Sequence, residues 1–499
     1  MSSAEQNEFD VVVVGGGPAG STLGSLVAMQ GHRVLLLERE TFPRYQIGES
    51  LLPATVQGIC RLLGVSEEIE AAGFPRKRGG TFRWGANPTP WTFSFSVSPR
   101  IAGPTSFAYQ VERSRFDKIL LDNAVRKGVT VRENCTVTDV ISDGDRVTGV
   151  RYTAADGSEQ VAHGRYVVDA SGNTSRLHKH AGGTREYSEF FRSLALFGYF
   201  ENGKRLPAPN SGNILSAAFS SGWFWYIPLS DTLTSVGAVV RREDAAKIQG
   251  DPEVALRALI DECPLIRDYL ADATRVTTGQ YGQIRVRKDY SYHETAFWRP
   301  GLVLVGDAAC FVDPVFSSGV HLATYSALLA ARSINSVLAG RLGEQAVFEE
   351  FEKRYRREFG VFYEFLMSFY DMHVDEDSYF WSAKKVTCSS HDERESFVDL
   401  VAGMSSTDFD LSDAESVAVR FKERSTEFAR ALDTVVDNRS QNMAPLFKSS
   451  VVRQAMSEGG HVQARALMGQ DAGPESPVFS GGRVASPDGL FWDAQPAEQ

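Results

Sequence analysis

The stretch Phe9–Glu38 restricts the possible folds of this chain more than any other part of the sequence. It begins with the apolar, β-branched run Val11–Val14, whose short length favours a buried parallel strand. The residues GGGPAG then follow at positions 15–20 and give the spacing G-x-G-x-x-G. A helix over Pro18–Gln30 and a second strand over Arg33–Leu37 complete the pattern. This order predicts a dinucleotide-binding β-α-β unit.

Each glycine of this motif has its own function in such a unit. Gly15 permits the tight turn, Gly17 lets the backbone approach a pyrophosphate, and Gly20 lets the helix pack against the strand. The N-terminus of the helix directs its N–H groups and the positive end of its dipole at the phosphates. Glu38 lies eighteen residues after Gly20, where an acid can accept hydrogen bonds from a ribose diol.

Length and composition exclude several classes of protein. A chain of 499 residues suggests two or three domains, and no apolar run approaches the roughly 18 residues of a membrane span. The acidic, polar N-terminus has no signal-peptide character, so we expect a cytoplasmic protein. The net charge of −11 disfavours nucleic acid as a partner. The histidines and the five cysteines lack metal-ligand spacing, so we expect neither a metal site nor disulfides.

The pattern divides the chain into four regions. Residues 1–184 form the first part of a nucleotide-binding domain, and 185–295 form an aromatic-rich sheet on the substrate side. Residues 296–385 complete the nucleotide domain, and 386–499 form a helical C-terminal region with a polar tail for which we predict no packed fold. Helices outside the first unit are predicted at 54–63, from an N-cap at Ser114 to about 128, at 252–270, after Gly319 to 338, at 344–372 and at 412–437.

A second strand and turn complete the cofactor site. Gly301–Val305 predicts a buried strand, and Asp307 in the turn after it can accept hydrogen bonds from the ribityl hydroxyls of FAD. The helix after Gly319 can stabilise negative charge on a reduced flavin. The paired motifs resemble the FAD-binding fold of the flavin monooxygenase superfamily, an α/β, Rossmann-like fold. The resemblance assigns FAD contacts to Gly15, Gly17, Gly20, Glu38, Arg44, Arg113, Asp307 and Gly319.

A tryptophan motif indicates one branch of this superfamily. The residues GWFWYIP at 222–228 match the W-x-W-x-I-P motif of the flavin-dependent halogenases. On a strand, Trp223, Trp225 and Ile227 point to one face and form a bulky wall. The resemblance implies that this wall keeps the substrate away from the flavin, where it would otherwise be hydroxylated. A packed aromatic strand face is the alternative interpretation.

A second halogenase signature, F-x-x-P-x-x-S-x-G, lies at residues 311–319. Backbone N–H groups at Ser318 and Gly319, at a helix N-terminus, are suited to a halide ion. Ser317 belongs to the same loop and is a candidate catalytic residue. The same amides can alternatively serve the flavin alone.

Lys77 lies five residues before Phe82, where the halogenases have their essential lysine ahead of an aromatic residue. The resemblance therefore assigns the halogenation step to Lys77. A partly desolvated amine has a lowered pKa and can hydrogen-bond hypohalous acid or be halogenated by it. Without the resemblance, a lysine between Arg76 and Arg78 is a solvated surface charge.

The sequence departs from the tryptophan-acting halogenases at one position. Those enzymes resemble this chain but carry a glutamate just before the serine of the halide loop, where this chain has Phe316. The change argues against free tryptophan as the substrate. The chain instead looks like the halogenases of polyketide and nonribosomal-peptide pathways, which act on phenolic or pyrrolic rings that are often tethered to a carrier protein.

The sequence thus predicts an FAD-dependent halogenase that turns reduced FAD, O₂ and chloride into hypohalous acid. Lys77 then directs the halogen to a phenolic, tyrosyl-type ring, which we expect to be bound to a carrier protein. Because no second G-x-G-x-x-G is present for NADPH, we expect a separate flavin reductase to supply reduced FAD. The alternatives are an aromatic hydroxylase, an FAD-binding scaffold without turnover and, last, a reductase of the geranylgeranyl type.

Two further sets of residues can be interpreted either as structural or as functional. His321, inside the helix after the halide loop, is expected to be a core residue rather than a catalytic one. Arg354, Arg356 and Arg357 can form a basic patch for an acidic carrier protein, although a solvated helix face is the simpler explanation.

Overall fold

The computed structural model describes residues 8–85, 88–97, 104–370 and 482–493. The predicted helix at 412–437 and Cys388 lie outside these residues. The described helices are Pro18–Ala28, Arg61–Leu63, Ser66–Ala71, Arg113–Arg126, Pro252–Glu262, Pro264–Tyr269, Gly319–Leu338 and Glu344–Tyr370, with a π-helical segment at Ala54–Cys60. No helix among them combines the length and the apolar character needed to cross a bilayer.

A first sheet of eight strands carries the nucleotide motif. Its main path runs in the order Trp298–Arg299, Leu302–Leu304, Glu159–Asp169, Glu8–Val14, Val34–Leu37 and Thr130–Arg132, with Arg146–Thr153 and Thr136–Asp143 added as a meander on Glu159–Asp169. The central pairs are parallel, and Val11 lies between Val34 and Tyr166. Helices pack on this sheet, so Val11, Val12 and Val13 are fully buried, as the β-branched run predicts.

A second sheet of nine strands forms the other half of the molecule. Its path runs Cys310–Phe311, Arg285–Glu294, Arg185–Glu201, Leu233–Arg241, Gly222–Pro228, Ile214–Phe219, Gly79–Arg83 and Trp91–Ser94, and Thr274–Arg275 pairs beside Arg185–Glu201. The strands Gly79–Arg83 and Trp91–Ser94 come from residues 1–184, the region predicted as the first part of the nucleotide-binding domain together with the Lys77 loop. The sheets therefore do not follow the predicted region boundaries one for one.

Two helix predictions need correction. The helix predicted to be capped by Ser114 starts at Arg113, and Glu112 is its N-cap. Arg113 therefore lies in the first turn, four residues before its ion-pair partner Asp117. The helix predicted over 252–270 is two helices that break at Cys263. Pro264 has no N–H to donate and disfavours helical geometry in the residue before it, so the first helix ends there.

The C-terminal tail contains a packed segment that the sequence does not predict. Val484–Ala485 pairs with Trp492–Asp493, and the Trp492 side chain is fully buried. Its indole N–H donates to Ser333 Oγ at 2.9 Å, and its backbone N–H donates to Ser336 Oγ at 2.8 Å. These contacts fix residues 482–493 along the helix Gly319–Leu338, whose first residue belongs to the halide signature.

The basic patch proposed on the helix Glu344–Tyr370 is not available as such. Arg354 is buried and pairs with Glu350, and Arg356 pairs with Glu352 and also donates to the backbone of Glu294. Arg354 therefore cannot belong to a docking surface, whereas the Arg356 side chain is 32% exposed.

His321 is buried, as predicted. Its Nε2 lies 2.9 Å from Glu358 Oε1, and its ring stacks on Tyr325. The cysteines Cys60, Cys135, Cys263 and Cys310 are all buried free thiols.

Candidate active site

A cavity of about 460 Å³ runs between the two sheets and brings the predicted cofactor residues together. The residues that line it include Gly15, Gly17, Glu38, Arg44, Arg113, Trp223, Trp225, Asp307, Ser317 and Gly319. The nucleotide motif lies at one end of the chain and the halide signature some 300 residues later, so only the tertiary fold joins them. A long ligand such as FAD fits this arrangement because its adenosine and flavin ends need partners that are far apart.

The glycine turn has the geometry that a pyrophosphate requires. Gly15 has φ = 102°, in the region that favours glycine, and a side chain on Gly20 would place its Cβ 1.9 Å from the Gly15 carbonyl oxygen. The helix Pro18–Ala28 begins directly behind Gly17, with proline at its first position. Its free N–H groups therefore face the cavity.

Glu38 is held in place by the turn that it faces. Its Oε2 accepts a hydrogen bond from the Gly16 N–H at 2.6 Å, and its Oε1 accepts one from the Glu40 N–H at 2.8 Å. The side chain is buried and lines the cavity. This carboxylate is positioned for the ribose contact that the sequence predicts.

Two arginines share one buried carboxylate at the cavity wall. Arg44 Nη1 lies 2.8 Å from Asp117 Oδ2, and Arg113 Nε lies 2.7 Å from Asp117 Oδ1. Asp117 is fully buried, so these bonds fix both guanidinium groups and compensate its charge. The sequence assigns Arg44 and Arg113 to FAD, but it gives no signal for Asp117.

Asp307 lies at the far end of the cavity, in the turn after the strand Leu302–Leu304. Burial raises its pKa to about 6, and the charges of Arg113, Arg287 and Arg185 partly oppose this shift. The Tyr292 hydroxyl donates to the Asp307 backbone carbonyl and orients the turn. A carboxyl held here can accept hydrogen bonds from a hydroxylated chain such as ribityl.

The tryptophan wall forms as predicted. Trp223, Trp225 and Ile227 all line the cavity, and the two indole rings lie 6.2 Å apart. The Trp225 N–H donates to Ser235 Oγ at 3.1 Å, and the Trp223 N–H donates to the Tyr370 hydroxyl at 2.6 Å. Gly237 on the neighbouring strand makes room for Trp225, because a Cβ there would lie 2.2 Å from the indole.

Lys77 is the one buried lysine among the described residues. Its Nζ donates to the Leu51 carbonyl at 3.1 Å and to Ser317 Oγ at 3.4 Å, and it lies 5.8 Å from the centre of the Phe95 ring. Burial lowers its pKa to about 7, so both protonation states are accessible near neutral pH. The surface-charge interpretation of Lys77 is therefore wrong.

Ser317 connects the cavity to Lys77. It lines the cavity and also accepts the bond from the Lys77 amine, with a left-handed backbone at φ = 63° that turns the loop. Asp313 fixes the start of this turn by accepting from the Val315 N–H. Ser318 is fully buried and caps the helix Gly319–Leu338, and its hydroxyl has no partner among the described residues.

Aromatic rings surround the Lys77 side of Ser317. Phe316 lies 4.6 Å from Phe369 and 6.0 Å from Phe82, measured between ring centres, and Trp84 lies 6.2 Å from Trp223. Phe316 occupies the place of the missing glutamate. The described part of the chain gives Lys77 no ion pair, so the amine works in an apolar environment without a carboxylate beside it.

Besides Asp117, sequence reasoning missed three contributors to this site. Tyr370 accepts from Trp223 and donates to Asp313 Oδ2 at 2.6 Å, although it lies 147 residues from Trp223 in the chain. Glu49 lines the cavity and is buried, and the Leu51 carbonyl holds Lys77. A single acid within the mostly apolar stretch 47–53 is a signal that could have identified Glu49.

Known proteins share both the sequence pattern and this geometry. The family model described as tryptophan halogenase matches residues 10–103 and 98–433. The chain belongs to the tryptophan halogenase family. The tryptophan 2-halogenase of Chondromyces crocatus is 33% identical over 452 residues, which cover 88% of this chain and 83% of that protein.

Two further relatives differ in what they act on. One solved structure is that of the myxobacterial chondrochloren halogenase CndH, described as a new variant of FAD-dependent halogenases. Its sequence is 55% identical to this chain, and the match covers 98% of this chain and 100% of that one with a TM-score of 0.77. The 1H-pyrrole-2-carbonyl-[peptidyl-carrier protein] chlorinase of Pseudomonas fluorescens is 31% identical and covers 74% of this chain and 85% of its own length.

The halogenase is therefore an oxidoreductase with the predicted α/β fold, FAD as its cofactor and chloride as its halide. FAD supplies the redox chemistry with O₂ when it is bound. The relatives are named for tryptophan, a carrier-bound pyrrole and other substrates. The family thus leaves the ring that this halogenase modifies open, and the sequence argument from Phe316 against tryptophan stays a prediction.

Proposed function

We propose that this halogenase chlorinates a phenolic, tyrosyl-type ring that is attached to a carrier protein, with Lys77 as the residue that delivers the halogen. The observation that carries the proposal is the position of the Lys77 amine, buried and 3.4 Å from Ser317 Oγ at the edge of the FAD cavity. Trp223, Trp225 and Ile227 then separate the flavin from the substrate.

Phe316 supports a phenol as the substrate. A phenol pushes electron density from its own oxygen into the ring, so it needs less assistance from the protein than an indole does. The apolar surroundings of Lys77, with Phe316 and Phe369 in place of a second carboxylate, suit such a ring. One relative named as a chlorinase of a carrier-bound pyrrole supports the tethered form.

The roles of the other residues follow from their positions. Gly15, Gly17, Glu38, Arg44 and Arg113 line the cavity and would hold the adenosine and pyrophosphate parts of FAD, and Asp307 would hold the ribityl chain. Gly20 does not line the cavity and would act by letting the helix pack on the turn. The N–H groups at Ser318 and Gly319 would bind chloride at the helix N-terminus. A separate flavin reductase would supply reduced FAD.

Mass spectrometry of the products tests this proposal. Tyrosyl substrates, both free and loaded on a carrier protein, are incubated with the halogenase, a flavin reductase, FAD and chloride, and free tryptophan and a carrier-bound pyrrole are included as competitors. We expect chlorine in the carrier-bound tyrosyl product. Chlorination of tryptophan or pyrrole alone would overturn the substrate class, and an added oxygen without chlorine would favour the hydroxylase.

A further inference from the structure

We propose that Glu49, Tyr199 and Tyr45 form a proton relay that connects the FAD cavity with the outside of the protein. Glu49 lines the cavity, and its Oε1 accepts a hydrogen bond from the Tyr199 hydroxyl at 2.8 Å. The Tyr199 hydroxyl lies 2.7 Å from the Tyr45 hydroxyl. The three groups therefore make one continuous hydrogen-bonded chain.

The chain runs from a buried end to a partly exposed end. Glu49 is 2% exposed and Tyr199 is fully buried, whereas Tyr45 is half-buried and has the Arg285 guanidinium 3.7 Å above its ring. The second oxygen of Glu49, Oε2, accepts no well-formed hydrogen bond from the described residues, although the Ser235 hydroxyl lies near enough to this carboxyl to stabilise its charged form. An oxygen so weakly engaged at the wall of a cavity is available to a ligand or to a proton.

The surroundings of Glu49 allow it to take up and release a proton near neutral pH. Burial raises its pKa to about 7, while the hydroxyls of Ser235 and Tyr199 and the charge of Arg113 oppose the shift, and Glu112 adds to it. Burial and the charge of Glu49 raise the pKa of both Tyr45 and Tyr199, so both remain phenols that can pass a proton on. The carboxyl is thus the titrating member of the chain.

Formation of hypochlorous acid consumes protons, which this relay would supply. This role of the relay rests on the proposed halogenase function. The balanced conversion takes the reduced FAD anion, O₂, chloride and two protons to oxidised FAD, hypochlorous acid and water. Two electrons pass from FAD to O₂, one oxygen atom leaves as water, and the other becomes bound to chlorine, which is thereby oxidised. Glu49 lines the cavity wall, so its carboxyl can pass one of these protons to a group that reacts there.

Removing one hydroxyl in the middle of the chain tests the relay. Tyr199→Phe breaks the connection while it keeps the ring. Tyr281→Phe is the matched control, because its ring stacks 4.3 Å from Tyr199 but its hydroxyl donates to Glu112 instead. With reduced FAD and chloride supplied, we expect Tyr199→Phe to form hypochlorous acid at least about tenfold more slowly above pH 7 and with an altered solvent isotope effect. Tyr281→Phe should match the wild type.

The dissociation constant of FAD separates a relay from a simple binding role. We expect Tyr199→Phe to bind FAD as the wild type does. If instead its affinity falls and its rate at saturating FAD equals that of the wild type, Glu49 holds the cofactor and the relay is overturned. A wild-type protein that makes no hypochlorous acid at all would count against the halogenase function, which is a different failure.

Infrared spectroscopy of the protein without FAD gives a readout that does not depend on turnover. We expect the wild type to show the carbonyl stretch of a protonated carboxyl that titrates near pH 7, and we expect Glu49→Gln to lose this band while it keeps the band of Asp307, which titrates at lower pH. The band should persist in Tyr199→Phe with a shifted frequency, since one hydrogen bond is lost. If the band is identical in the wild type and in Glu49→Gln, Glu49 is not the group that carries the proton.

Discussion

Ser317 lies between two regions of the site, the FAD cavity on one side and the surroundings of Lys77 on the other, and the two regions differ in how their charged groups are stabilised. On the FAD side, charged groups are paired and backbone N–H groups line the cavity, as with Arg113 and Asp117. On the Lys77 side, a single amine lies among aromatic rings, and its described polar partners are a carbonyl and a hydroxyl. The first side suits a large anionic cofactor, and on the second side burial lowers the pKa of one amine to about 7.

This difference fits the proposal that the protein makes its oxidant on the FAD side and uses it on the Lys77 side. Paired charges give affinity and fixed geometry but little chemistry of their own. An unpaired buried amine costs stability but gains a pKa close to the working pH. Substitutions on the Lys77 side should therefore lower the yield of halogenated product, whereas substitutions on the FAD side should weaken cofactor binding.

The largest effect is expected on the Lys77 side. Lys77→Met removes the amine but keeps most of the side-chain volume, so we expect halogenated product to fall by at least about 100-fold. Formation of hypochlorous acid should continue, because the FAD side is intact. Lys118→Met is the control, since Lys118 is partly exposed and pairs with Asp122 on the surface. Normal halogenation by Lys77→Met, measured by product mass, would remove Lys77 from the mechanism.

The cost of the buried amine should appear as a pH dependence of stability. The pKa of Lys77 is about 7 in the folded protein and 10.5 ordinarily, so between these values the unfolded chain binds a proton that the folded chain does not. The free energy of unfolding of the wild type relative to Lys77→Met should therefore rise with pH in this window, by up to about 1.4 kcal/mol per pH unit.

Urea unfolding of both proteins at several pH values between 7 and 10 measures this difference, and Lys118→Met again serves as the control. Parallel stability curves for the wild type and Lys77→Met would mean that the amine is not desolvated in the folded state.

On the FAD side, a methyl group in the glycine turn should be enough to impair cofactor binding. Gly20→Ala would bring Cβ to 1.9 Å from the Gly15 carbonyl oxygen, so we expect a loss of about 1–3 kcal/mol in stability and weaker FAD binding. Gly24→Ala on the same helix meets its nearest neighbour at 3.5 Å, in ordinary contact. Thermal unfolding and FAD titration should separate the two variants, and equal behaviour would contradict the close packing.

The smallest effect is expected at the boundary between the two sides. Tyr370→Phe removes the hydroxyl that lies between the Trp223 N–H and Asp313, both of which are buried, and we expect a loss of about 1–2 kcal/mol in the free energy of unfolding. Tyr363→Phe on the same helix is the control, because its hydroxyl lies 2.8 Å from the hydroxyl of the partly buried Ser188 and not between Trp223 and Asp313. If the free energy of unfolding of Tyr370→Phe equals that of the wild type, Trp223 is held by packing alone.

The sequence by itself predicts the glycine turn and the ribose acid of the FAD side, because these parts are local. The strand, glycine turn, helix and Glu38 lie within thirty residues, and short-range sterics and helix dipoles dictate that arrangement. The sequence also determined the shared face of Trp223, Trp225 and Ile227, since residues two apart on a strand must point the same way.

The environment of Lys77 and the hydrogen bonds between the FAD side and the Lys77 side depend on the tertiary structure. Lys77 and Ser317 are 240 residues apart, and Trp223 and Tyr370 are 147 apart, so no local pattern could show that they touch. The same holds for Asp117 between its two arginines and for Trp492 on the helix that starts at the halide loop. Burial and pKa depend on what the whole chain packs around a group, and a residue's neighbours in sequence do not contain that information.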